Sequence, residues 1–217
     1  MNFGKIKNKL IKIIQEDDDD EIVDVFDQCL SSFIQRTTIS RDISRVNLDF
    51  DITDSYFYRR LYQLLQDANE WDEVILRINN GGGFLETFIE ICYYLLNTEA
   101  ETIAEIHTAY SSAALIALAC DKVIINPFSS MMLHACSACA NGNIDEVKTN
   151  NENELKRFRI ILDELCTGFL SKEEIDMIMN GKTFYFGAKE IEDRLKNKVV
   201  SKLRVRKEEG DFLPEIG

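Results

Sequence analysis

Val74-Ile75-Leu76-Arg77-Ile78 is a short apolar run of strand length that halts at Asn79-Asn80-Gly81-Gly82-Gly83. Beyond it, Phe84 to Leu96 returns to helical spacing, with Phe88, Ile91, Cys92 and Leu95 on one face. The unit is strand, glycine turn, helix. It recurs downstream: Thr102 to Thr108 reads as a strand, Ser111 to Cys120 as a helix of small residues, and Val123-Ile124-Ile125 and Met131-Met132-Leu133 as two more strands. Upstream, Val46-Asn47-Leu48-Asp49-Phe50 alternates as a strand does, and Thr53 or Asp54 can cap a helical run from Tyr56 to Gln66. Strands alternating with helices specify an α/β fold with a largely parallel sheet.

The flanking segments read differently. Residues 3–14 set Phe3, Ile6, Leu10, Ile13 and Ile14 at helical spacing among four lysines, an acidic run spans Glu16 to Glu21, and a second helical pattern runs from Ile22 to Phe33. We read residues 1–36 as an N-terminal helical extension with an acidic hinge, and residues 37–217 as the main domain. From Asn143 to Phe169 no glycine or proline interrupts an apolar repeat until Gly168, which predicts one long helix. Its first half is polar, so it is expected to project from the body or to meet another subunit. Ser171 with Glu174 fits a capping box for the helix that follows.

Composition narrows the class of function. The chain has 217 residues, 45% of them hydrophobic, enough for one domain to bury a core unaided. A formal net charge of −13 opposes nonspecific binding to nucleic acid or to an anionic membrane. No apolar run approaches the roughly 20 residues of a membrane-spanning helix. Six cysteines lie in stretches that otherwise read as core, with no secretory signal before them, so reduced thiols and a cytoplasmic location are expected.

Only two histidines, His107 and His134, are present. A serine hydroxyl needs a positioned base to become a nucleophile, so any serine mechanism must use one of them. Ser111 stands where a strand turns into a helix, a corner that directs its side chain outward and leaves the Ser112 amide N–H free in the first helical turn. Gly81-Gly82-Gly83 can expose further N–H groups to a developing oxyanion. Both features fall at strand C-termini, where open α/β sheets bind ligands. His134 ends a strand beside the same crevice, whereas His107 lies inside a strand.

In this order the motifs resemble those of the Clp protease proteolytic subunit, ClpP. Ile78-Asn79-Asn80-Gly81-Gly82-Gly83 resembles the family's Ile-Asn-Ser-Pro-Gly-Gly, and Ala109-Tyr110-Ser111-Ser112-Ala113-Ala114 its Ala-Ala-Ser-Met-Gly-Ala. Asn126-Pro127 through Met132-Leu133-His134 is similar to its proline, strand and histidine. Gly142 and the helix ending in Thr167-Gly168 are similar to its projecting helix, and Tyr185-Phe186-Gly187-Ala188-Lys189-Glu190 to its Phe-Leu-Ser-Ala-Pro-Glu. The likeness spans about residues 44 to 200 and is that of a divergent, phage-type member.

The resemblance implies a ClpP/crotonase-like fold with a long projecting helix, and a serine endopeptidase in which Ser111 is the nucleophile and His134 the base. Backbone N–H groups of Gly83 and Ser112 would form the oxyanion hole. The family's triad aspartate falls on Thr183, which brings no charge, so a nearby carboxylate such as Asp176 or Asp193 would have to substitute or activity would be weak. The resemblance further implies a homo-oligomer of stacked rings, unfolded protein or peptide as substrate, and an AAA+ unfoldase partner. ATP would belong to that partner, because the chain has no Walker-type phosphate loop, and no cofactor is expected.

Rival readings attach to the same residues. A noncatalytic ClpP-like ring component is motivated by Thr183. His134, Cys136 and Cys139 form a compact His-x-Cys-x-x-Cys cluster with plausible zinc-ligand types but no obvious fourth ligand. A crotonase-like acyl-CoA enzyme would use the glycine turn and leave the Ser–His pair without a purpose.

Overall fold

In the computed structural model, residues 41–135 and 144–198 are described. The N-terminal extension expected at 1–36, and Cys29, Cys136 and Cys139, lie outside them. Five strands form one sheet in the order β1 (Ile43–Leu48), β2 (Glu73–Asn80), β3 (Glu101–Tyr110), β4 (Lys122–Leu133) and β5 (Phe184–Gly187). The first four pair in parallel and β5 is antiparallel to β4.

Parallel neighbours need crossover connections, and the helices supply them. Asp54 caps a 3-10 turn over Ser55–Tyr58, accepting from the Tyr56 N–H at 2.8 Å, and α1 (Arg59–Asp67) follows. The helices α2 (Leu85–Asn97) and α3 (Ser112–Ala119) link β2 to β3 and β3 to β4. Alternation along β2 shows which face they cover: Val74, Leu76, Ile78 and Asn80 are buried, Arg77 and Asn79 exposed. On α2, Phe88, Ile91 and Leu95 are fully buried, each contributing about 1.5–3 kcal/mol by leaving water. Almost all of α3 is buried, which its alanines permit by letting it lie close to β3 and β2.

One element differs from expectation. The stretch read as two strands, 123–125 and 131–133, is the single strand β4, which continues past Pro127. Register against β3 moves from Ile106↔Ile125 to Thr108↔Ser130, so β4 carries a bulge there. Side chains replace the missing ladder bonds: Ser129 Oγ accepts from the Asn126 N–H at 2.9 Å and donates to the Ile106 carbonyl at 2.6 Å. Asn126 Nδ2 donates to that same carbonyl at 3.0 Å.

The long helix α4 spans Ile144–Cys166, and Phe158, Leu162, Leu165 and Cys166 bury its C-terminal half in the core. Next, α5 (Lys172–Met179) begins at the expected capping box, with the Glu174 N–H donating to Ser171 Oγ at 3.2 Å and the Ser171 N–H to Glu174 Oε2 at 2.9 Å. The last helix among the described residues, α6 (Ala188–Leu195), packs on β4. Among the described residues no helix is long and apolar enough to cross a membrane.

Candidate active site

The corner between β3 and α3 is strained. Ser111 has φ 55° and ψ −125°, and it is the one non-glycine residue with positive φ among the described residues. Such a conformation costs on the order of 1–3 kcal/mol and persists only where its surroundings fix it. Here the Ser111 N–H donates to the Met132 carbonyl of β4 at 2.8 Å, and its own carbonyl accepts the first bonds of α3 from Ala114 and Leu115.

The same pairing of β3 with β4 carries His134 to the corner, because it is the first residue after β4 ends at Leu133. His134 Nε2 lies 2.8 Å from Ser111 Oγ. With its proton on Nδ1 the ring accepts from the hydroxyl, the arrangement general-base catalysis needs. Ser112, the neighbouring hydroxyl, is buried and turned 3.5 Å from the Gly83 carbonyl instead. His107 sits exposed on β3, its Nδ1 3.5 Å from Asn126 Nδ2, and does not join the pair.

The glycine turn forms the opposite wall. Asn80 Oδ1 accepts from the Gly82 N–H at 2.6 Å, and Asn80 Nδ2 donates to the Phe50 carbonyl. An isolated bridge to Ile52 holds the next step: the Ile52 N–H donates to the Gly82 carbonyl at 2.8 Å and the Phe84 N–H to the Ile52 carbonyl at 2.7 Å. A side chain at Gly83 would drive its Cβ into the Ile52 carbonyl. This leaves the N–H groups of Gly83 and Ser112 without an acceptor among the described residues, the two donors expected for an oxyanion. Asn80 was not singled out by its sequence position; an Asn just before a glycine turn is the only signal it gives.

Thr183, by contrast, is exposed and makes no hydrogen bond to His134 among the described residues. It stands one step beyond the last β4–β5 pair, Leu133↔Phe184, which sets it at the level of His134 along the ladder. Neither carboxylate considered as a substitute reaches the ring. Asp176 binds Arg159 at 2.5 Å, and Asp193 binds Lys196 at 2.8 Å.

Thiol chemistry has no group to carry it among the described cysteines. Burial pushes the thiols of Cys120 and Cys166 up to about 12 and that of Cys92 well above its usual range, so all three stay protonated. Among the described residues no cluster of His, Cys, Asp or Glu has a metal-binding arrangement. The His134–Cys136–Cys139 reading involves two residues outside them.

Ser111 and His134 open onto a cavity of about 590 Å³ whose walls include Phe88, Leu115, Leu133 and Phe158. A hydroxyl paired with an imidazole, two backbone N–H groups without an acceptor among the described residues and a largely apolar hollow together suit acyl transfer at a carbonyl. Against known proteins, a family model described as Clp protease matches residues 44–190, while no curated protein matches the chain.

Proposed function

This chain belongs to the Clp protease family, and on that premise we propose that it is a serine endopeptidase using Ser111 and His134. The observation that carries the proposal is the 2.8 Å approach of His134 Nε2 to Ser111 Oγ beside two unspent amides. Ser111 Oγ adds to the peptide carbonyl as its proton passes to His134 Nε2, and the amides of Gly83 and Ser112 stabilise the resulting oxyanion. Collapse breaks the C–N bond, His134 protonates the departing amine, and a water activated by the same ring hydrolyses the acyl-serine. Each oxyanion donor is worth about 3–4 kcal/mol to such a step.

Thr183 sets the rate. In serine-protease triads, replacing the aspartate by asparagine lowers turnover about 10⁴-fold while the oxyanion hole and binding still accelerate the reaction. Slow hydrolysis is therefore the expected behaviour. The exposed, unengaged Thr183 equally motivates a second reading, a noncatalytic ring component that keeps the fold. Ring assembly through the main body and α4, unfolded-chain substrates, an AAA+ unfoldase partner and a cytoplasmic site of action complete the proposal. Residues 1–36 would form a separate extension.

A fluorophosphonate reagent separates the two readings. Labelling at Ser111 that disappears in Ser111→Ala and falls in His134→Ala supports the peptidase. Absence of labelling in the assembled protein supports the noncatalytic component.

A further inference from the structure

Away from Ser111, Ser112 and His134, the side chains lining the cavity are apolar except for one. Besides His134, Glu86 is the one ionisable side chain in its lining among the described residues. Glu86 lies in the first turn of α2, directly after the glycine turn, and its side chain is 71% exposed at the cavity mouth. It is not a free charge. Arg157 grips it with both arms of its guanidinium, Nη1 to Oε1 at 2.7 Å and Nη2 to Oε2 at 3.1 Å. Arg157 immediately precedes Phe158, which is buried and forms part of the cavity wall. The long helix thus brings an apolar wall and the counter-charge for the wall's one carboxylate in consecutive residues.

We propose that Arg157 determines substrate specificity by neutralising Glu86 at the rim of this cavity. The inference rests on the peptidase reading. When a peptide carbonyl meets Ser111 with its oxygen toward Gly83 and Ser112, the side chain on that carbonyl's residue enters the hollow. With the Glu86–Arg157 pair intact the hollow takes an apolar side chain and gives nothing to a cationic one. With Arg157 removed, Glu86 presents a bare carboxylate where the tip of a lysine or arginine would emerge. That charge is attractive because one wall is low-dielectric protein, and it is weakened by salt because the other side is water.

The test compares two fluorogenic peptides identical except for Leu or Lys before the cleaved bond. Arg157→Gln is expected to raise the Lys/Leu ratio of kcat/KM about tenfold at low salt, with the gain shrinking in high salt. Arg157→Lys, which keeps the charge, should retain the wild-type ratio. The double variant Arg157→Gln/Glu86→Gln should return to it, an outcome that mere loosening of α4 would not produce. An unchanged ratio in Arg157→Gln, or a shift that persists in the double variant, overturns the inference. Measuring affinity for the same two peptides in a Ser111→Ala background reads the pocket without turnover. A protein that binds with the expected preference yet cuts neither peptide refutes the peptidase reading alone, and one that cuts both while ignoring Arg157 refutes this inference alone.

Discussion

Gly82 and Ser111 are packed so closely that a methyl group on the glycine would stand 2.7 Å from the serine Cβ and 2.8 Å from the Tyr110 carbonyl. Gly82 also has φ 98°, a conformation that L side chains rarely adopt. Gly82→Ala must therefore either displace the nucleophile corner or bend the turn. We expect a loss of about 2–4 kcal/mol in stability and at least about 100-fold in Ser111 acylation. Gly81→Ala is the contrast, because its Cβ meets only Asp51 Oδ1 at an ordinary 3.6 Å. Thermal unfolding of the two variants should separate clearly; equal melting temperatures would contradict the packing argument.

Thr183→Asp is expected to accelerate acylation. The β4–β5 register sets residue 183 one step past Leu133↔Phe184, at the level of His134, so a carboxylate there can turn toward the Nδ1 side of the ring. Its charge would favour the imidazolium formed as Ser111 loses its proton, and part of the roughly 10⁴-fold triad effect should return, on the order of 10–100-fold. Thr183→Asn supplies an acceptor without the charge and should give much less. Burst-phase kinetics with an activated ester check both, and identical rates for the two variants would show that charge at this position does not reach the ring.

Much of this site was legible in the residues. Histidine scarcity left two possible bases, and the Ser111–Ser112 corner and the glycine run each have a local backbone reason to sit at strand ends. The residues 123–125 and 131–133 read as two strands, whereas they belong to one that Asn126 and Ser129 carry past Pro127 with side-chain bonds. The acceptor that two of these bonds share, the Ile106 carbonyl, lies on β3 and becomes visible only once β3 and β4 are aligned. Glu86 and Arg157 were invisible for a related reason. They are 71 residues apart, and neither spacing nor composition links a charge in one helix to a charge in another.

Arg194 fastens α6 to α5 and the core. Its guanidinium donates to both Glu174 oxygens at 2.9 and 2.7 Å, donates to the Phe169 carbonyl at 2.9 Å, and lies 4.8 Å from the Phe186 ring centre. Both charged side chains are about four-fifths buried, and the Arg194 hydrogen bonds are the main reason the Glu174 carboxyl is held below its usual range. Arg194→Ala leaves the Glu174 carboxylate with only the Ser171 N–H of its capping box, removes a donor from the Phe169 carbonyl, and should cost about 2–4 kcal/mol. Arg194→Lys cannot reproduce the two-armed contact and should recover less than half of it. Urea unfolding midpoints decide the matter, and a neutral Arg194→Ala would mean the pair is solvated in practice.

Alkaline pH should destabilise the fold through groups that burial keeps protonated. The thiols of Cys120 and Cys166 are pushed from an ordinary value of 9.0 to about 12, and burial likewise raises the Tyr62 hydroxyl from 10.0 to about 12. For each, the folded state holds its proton over a range where the unfolded chain has lost it. The stabilisation is complete below the unfolded value and declines as pH rises toward 12. Lys198 acts in the opposite sense: its ammonium is buried against the Leu118 carbonyl, and desolvation lowers its pKa below 10.5. The unfolded chain then binds the extra proton, so this group alone favours folding as pH approaches 10.5. Above about 10.5 the lysine contributes no further gain and the thiols and tyrosine dominate. Two thiols begin to lose their advantage near 9.0 against the gain from one lysine, so unfolding midpoints measured from pH 8 to 11.5 should begin to fall above about 9 and fall more steeply above about 10.5, and Cys120→Ala should flatten the fall. A midpoint still rising at pH 11 would mean that these thiols ionise in the folded protein at their ordinary pH.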